Sequence, residues 1–184
     1  MTPAAATFTF LMALSTVALQ IAVVVLFAVW FFSRRGNDTA LSLFAERLAL
    51  PAIFVLTLAG SAVTLMYSEV WGFVPCGLCW LQRIFLYPQV ILAGLAMMKK
   101  QGAFIADYLI ALSIFGVIIA LYQHYIQMGG SKLAGCPTAG GDCAARFVFE
   151  FGYITFPLMA ATLFSASMVL ALFLRRGEKR ISQI

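Results

Sequence analysis

Charge is what this chain has least of. Only 10% of its 184 residues are Asp, Glu, Lys or Arg, against roughly 25% in a soluble domain. Residues 1–33 carry none at all. That scarcity excludes a water-soluble globule. Hydrophilic linkers and internal repeats are missing too, so residues 1–184 are expected to form a single membrane domain. Histidine occurs once and cysteine four times, which confines redox or metal chemistry to a handful of positions.

What is there is 63% hydrophobic, with a mean hydropathy of +0.99. A helix needs about 20 apolar residues to cross the hydrocarbon core. Five segments qualify, at about residues 7–32, 49–67, 78–98, 103–122 and 155–174. The first has no positive leading region, and it exceeds the ~7–15 residues of a cleaved signal's apolar stretch. It is expected to be a retained anchor. The fold class expected is an all-α integral membrane protein, a four-helix transmembrane bundle with one extra N-terminal transmembrane helix.

The net charge of +5 does not point to nucleic acid, because the basic residues sit at span ends as topology determinants. Arg34, Arg35 and Arg47 flank the first connection, Lys99 and Lys100 make the third, and Arg175, Arg176, Lys179 and Arg180 form the tail. The other side holds Lys132 and Arg146, with Arg83 just inside a span. Cytoplasmic loops carry the Lys/Arg excess, so the N-terminus is expected outside and the C-terminus inside. All four cysteines then face the outer compartment, where disulfides persist.

Cys76 and Cys79 form a Cys-Gly-Leu-Cys turn after Pro75, at the start of the third span. Proline suits a helix start, and a helix N-terminus carries about half a positive charge that favours thiolate. Arg83 lies four residues after Cys79, one turn on along the same face. A charge just inside a span is a functional candidate by default; snorkelling to headgroups is the structural reading. Cys136 and Cys143 bracket a short Gly-rich loop. Together the four thiols suggest a thiol–disulfide relay, but they could also hold zinc, and the loop pair alone could be a structural staple.

Residues 123–154 make the outward loop that carries this second pair. His124, the only histidine, lies near the outer end of the fourth span at about the depth of Cys76. It is either a polar cap or a cofactor contact. Asp107 reads as a snorkelling or paired carboxylate, Pro88 as a kink in the third helix, and the methionines as packing.

At these residues the chain resembles the disulfide bond formation protein B (DsbB) family, including its BdbC branch. The run from Cys76 to Arg83, Cys-Gly-Leu-Cys-Trp-Leu-Gln-Arg, is similar to that family's Cys-x-x-Cys-(three residues)-Arg signature. Gly141-Asp-Cys-Ala144, then Arg146, Phe151-Gly152 and Pro157, is similar to the segment around its last cysteine and final span. The resemblance covers roughly residues 49–174, the four-helix part. The vitamin K epoxide reductase family has the reverse cysteine order. The span at 7–32 is extra to the family plan, and the Cys136–Cys143 loop is short for it.

The resemblance implies disulfides Cys76–Cys79 and Cys136–Cys143 and a thiol:quinone oxidoreductase in a bacterial cytoplasmic (inner) membrane. It implies a thioredoxin-fold, DsbA-like thiol oxidase as partner, ubiquinone or menaquinone as cofactor, the lipid bilayer as medium, and no bound metal. Cys136 would form the mixed disulfide with the partner, Cys143 would attack Cys76, and Cys79 and Arg83 would face the quinone. The alternatives are a non-enzymatic membrane scaffold or assembly factor with structural disulfides, and a vitamin K epoxide reductase-like quinone reductase.

Overall fold

The computed structural model describes residues 3–35, 39–99, 102–131 and 141–181. Five long helices follow one another: α1 (Pro3–Ser33), α2 (Ala40–Leu65), α3 (Gly77–Lys99), α4 (Ala106–Gln127) and α5 (Phe156–Ile181). Each is long and apolar enough to cross a membrane. No strand occurs among the described residues, only an isolated pairing of Glu150 with Ile154. The all-α membrane architecture expected from the hydropathy pattern is the one that forms.

Two helix ends differ from that expectation. α2 begins at Ala40 rather than near residue 49, because Thr39 and Ser42 form a capping box that satisfies N–H groups at the helix start. α5 continues beyond residue 174 to Ile181. Two residues of its basic end are paired: Arg175 lies 3.3 Å from Asp107 and Arg176 lies 3.6 Å from Glu46. Asp107 is thus a paired carboxylate.

α5 packs along α4, α2 and α1, while α3 spans the gap between α2 and α4. Helices α2–α5 form the bundle, and α1 lies outside it against α5. One half of the bundle is closed by a core that includes Ala45, Ala49, Ile53, Ala93, Leu109 and Phe173. Small residues let helix backbones approach where lipid gives no hydrophobic drive to association. Gly116 serves the same end: a Cβ there would sit 2.6 Å from the Phe164 ring, which is wholly buried. Val24, Val55, Ile91 and Ile118 are exposed on the outer faces, as suits residues that meet lipid.

The other half of the bundle is looser and polar at its tip. α2 widens into a π-helical turn, Met66–Val70, whose Tyr67 is ringed by Trp71, Phe73 and Phe156. Thr9 of α1 hydrogen-bonds the Tyr67 hydroxyl at 2.7 Å. The start of α1, the end of α2 and the starts of α3 and α5 therefore share one end of the molecule, and the cysteines lie there.

Candidate functional site

Cys76 precedes the first residue of α3, and its sulfur caps that helix by accepting the Cys79 N–H at 3.3 Å. The two side chains are thereby brought onto one turn. Both are free thiols in this structure, so the expected Cys76–Cys79 bridge is open here. The Cys76 thiol is pushed up, first by its hydrogen bond with Cys79 and then by burial.

Two glutamines not singled out from the sequence complete the turn. Gln123 of α4 donates Nε2 to both sulfurs, at 3.1 Å to Cys76 and 3.3 Å to Cys79. Its Oε1 accepts from Gln82 Nε2 at 2.6 Å. Both amides are buried. In a medium without water a buried amide must find its partners within the protein, and these find each other and the thiols.

Arg83 turns inward rather than up to the headgroup level. It is 7% exposed; its Nη2 donates to the Thr64 carbonyl at 2.7 Å and the Ser68 hydroxyl at 3.1 Å. Those groups lie at the junction of α2 and the π-helical turn, where the helical ladder changes register. The guanidinium also lies 5.0 Å from the Trp80 ring centre. Arg83, Cys79, Gln82 and Gln123 meet on the wall of a cavity of about 370 Å³, whose remaining lining is mostly apolar and comes mainly from α1, α2, α5 and the segments 67–76 and 142–147.

His124 does not line this cavity. Its Nδ1 is 2.8 Å from the Thr155 hydroxyl, and that hydroxyl also accepts the Leu158 N–H at the start of α5. His124 thus buttresses a helix start. The cavity position belongs to its neighbour Gln123, because one residue along a helix turns the side chain by about 100°.

The second pair is half visible. Cys143 is disulfide-bonded and fully buried; Cys136 lies outside the described residues. The segment after it docks on the membrane pair. A Cβ on Gly141 would fall 2.5 Å from the Val74 carbonyl and 3.8 Å from the Cys76 nitrogen, so only glycine allows this approach. Gln127 Nε2 holds the Ala145 carbonyl at 3.0 Å, and Phe147 stacks edge-on against Phe73 at 5.0 Å. Short as it is, the loop reaches the Cys76 turn. Among the described residues no cluster of His, Cys, Asp or Glu could hold a metal ion.

A helical membrane bundle with a Cys-x-x-Cys turn on a buried cavity, touched by a loop that carries a disulfide, is the arrangement of a membrane thiol–disulfide oxidoreductase. The family model described as "Disulfide bond formation protein DsbB" matches residues 46–174, and the chain belongs to that family. It is 39% identical over 131 residues to the SPbeta prophage-derived disulfide bond formation protein B of Bacillus subtilis (strain 168), covering 71% of this chain and 88% of that protein. It is 32% identical over 133 residues to disulfide bond formation protein C of the same organism, covering 71% and 94%. A probable disulfide formation protein of Oceanobacillus iheyensis is 36% identical over 138 residues, covering 74% and 94%. These relatives agree with the BdbC-like branch. No solved structure matches the chain. The protein is a multi-pass membrane oxidoreductase of disulfide bond formation, and the family match leaves α1 outside.

Proposed function

We propose that the chain is a thiol:quinone oxidoreductase of a bacterial cytoplasmic membrane. It reoxidises an extracytoplasmic, thioredoxin-fold, DsbA-like thiol oxidase and passes the electrons to ubiquinone or menaquinone. The observation that carries the reading is the cavity, which has Cys79, Arg83, Gln82 and Gln123 on one wall and mostly apolar side chains elsewhere. Its volume lies within the ~300–1,000 Å³ usual for small-molecule sites. Such a lining suits a molecule with a polar head and a hydrocarbon tail. Arg83 would hold a head-group oxygen with the nitrogens that Thr64 and Ser68 do not use, beside Cys79. A quinone bound there supplies a two-electron, two-proton acceptor, so the protein needs no metal. A DsbA-type oxidant sits near about −120 mV, well above a glutathione-type pool at about −220 mV, so its electrons need an acceptor of this oxidising kind.

The protein's own residues carry the thiol steps. The partner's thiolate attacks the Cys136–Cys143 disulfide, bonds to Cys136 and releases Cys143. Cys143 attacks the Cys76–Cys79 disulfide at Cys76, and Cys79 leaves as thiolate. The partner's second thiol then resolves its bond to Cys136 and departs oxidised. Cys136 re-forms its bridge with Cys143 and frees Cys76. Two electrons and two protons now sit on the Cys76–Cys79 pair, with Cys143 bridged again. Thiols at Cys76 and Cys79 with a bonded Cys143 is the redox state of these residues in the structure. Gln123 assists by donating to the departing sulfur, and the docking of Gly141 supports short transfer between the pairs.

Anaerobic mixing of purified, quinone-loaded protein with a reduced thioredoxin-fold partner tests the reading. Quinone absorbance should fall as the partner's disulfide forms. A partner left reduced and an unbleached quinone would leave only a scaffold with structural disulfides.

Arg83→Lys is expected to raise the apparent quinone KM while leaving expression and both disulfides intact. An ammonium can still reach the Thr64 carbonyl but lacks the planar fork. One lost hydrogen bond to a charged donor is worth about 1.5–3 kcal/mol, roughly 10- to 150-fold. An unchanged KM would mean that Arg83 serves only the α2 junction.

Orientation is the remaining element. Arg34 and Arg35 lie over the rings of Trp30 and Phe31 at the end of α1 opposite the cysteines, and Arg175 and Arg176 lie at the same end on α5. The excess of basic residues supports a cytoplasmic position for that end. Cysteines introduced at Ser131 and Ser182 should label from opposite sides of the membrane, Ser131 from outside. Equal labelling by an impermeant reagent would reverse the proposed compartment.

A further inference from the structure

α1 is the element that the family match leaves without a role, yet it forms part of the cavity. Met12, Ser15, Thr16 and Leu19 all line it. Their spacing puts them on one helix face. The hydroxyls of Ser15 and Thr16 are both turned back to the Met12 carbonyl at 2.8 Å, so α1 presents hydrocarbon rather than polar demand. Across from it stand Leu56, Gly60 and Val63 of α2 and Met159 and Leu163 of α5. From Thr64, which Arg83 holds, to Leu56 this wall runs about 12 Å at 1.5 Å per residue.

α1 is also fixed in register. Its bundle face carries Ala5, Thr9, Ala13 and Thr16, all buried, while Phe10, Leu14 and Ile21 face outward. Besides the bond from Thr9 to Tyr67, Gln20 donates to Thr162 of α5 at 3.3 Å and accepts from the Tyr153 hydroxyl at 3.2 Å. Side-chain hydrogen bonds between membrane helices hold them together where lipid competes for apolar contact. A mere anchor needs no such register.

We propose that α1 is the tail-side wall of the quinone site: Met12, Thr16 and Leu19 form the surface against which the quinone's hydrocarbon chain lies, and they determine which chain the site accepts. The proposal rests on the quinone reading and deepens it. The polar wall at Cys79 and Arg83 takes the head, so the chain has the apolar side of the cavity left to it, and α1 closes that side.

The test uses the full-length protein in detergent and equilibrium binding of two benzoquinones, one bearing a decyl chain and one with none. Thr16→Phe fills the α1 side of the cavity. It should weaken the chain-bearing quinone roughly tenfold, about 1.4 kcal/mol, and leave the tailless one unchanged. Leu14→Phe adds bulk on the outward face and should change neither. Independently of any substitution, a quinone with a photoreactive group at its chain end should label the wild-type peptide holding Met12–Leu19. Unchanged binding of both quinones by Thr16→Phe, equal weakening of both, or label confined to α2 and α5 overturns the role of α1 while the quinone reading stands. A wild-type protein that binds neither quinone overturns both.

Discussion

With Cys79 replaced by serine, quinone reduction is expected to fall to background, while the partner should be oxidised no more than once per protein molecule. A hydroxyl cannot bridge to Cys76, so the membrane pair cannot store a disulfide, and the loop bridge, once spent, has nothing to restore it. Cys136→Ser fails at the opposite end. The partner would then have no disulfide to attack at its entry point, yet added quinone should still oxidise Cys76 and Cys79. Partner redox state read by thiol alkylation, alongside quinone absorbance, separates the two failures. Wild-type turnover by either variant with partner and quinone together would break the proposed order.

Gln123→Leu is expected to slow quinone reduction by roughly 10- to 150-fold, the ~1.5–3 kcal/mol of a hydrogen bond to a charged group. Gln123 reaches both sulfurs. The same change strands the buried Gln82 amide, which costs about 1–3 kcal/mol of stability. These two effects come apart in a double variant. Gln82→Met with Gln123→Leu removes both members of the amide pair, so thermal stability should recover toward wild type while the rate stays low. Recovery of both would show that Gln123 acts on packing alone.

Hydropathy made the five spans legible because a bilayer imposes the same length and apolarity on each of them. It read helix ends less well. Glu46 and Arg47 lower the local hydropathy, so α2 was expected to start after them. Its true start is written in Thr39 and Ser42, a local hydrogen-bonding signal that hydropathy does not weigh. The π-helical turn had no sequence warning; it depends on aromatic contacts at Tyr67 from distant segments. The cysteines and Arg83 were visible through spacing, and the structure brings Cys79 and Arg83 onto one cavity. Gln82 and Gln123 escaped because single amides vanish in a hydropathy average, although a polar side chain inside a span is itself a signal. His124 drew notice as the only histidine, but rarity says nothing about which way a helix face turns.

The burial of Cys76 and Cys143 has a consequence for selectivity under the proposed function. Cys76 is 3% exposed and Cys143 is 0% exposed, and the cavity beside Cys79 is lined mainly by hydrocarbon. Under that function, small water-soluble thiols would therefore meet a shielded Cys76 and Cys143, even where they are abundant. Attack by thiolate needs access as well as reactivity. Under the proposed function, electron entry would thus be insulated: a free reductant would not short-circuit the quinone pool, and current would flow only when a protein partner docks and opens the Cys136–Cys143 bridge.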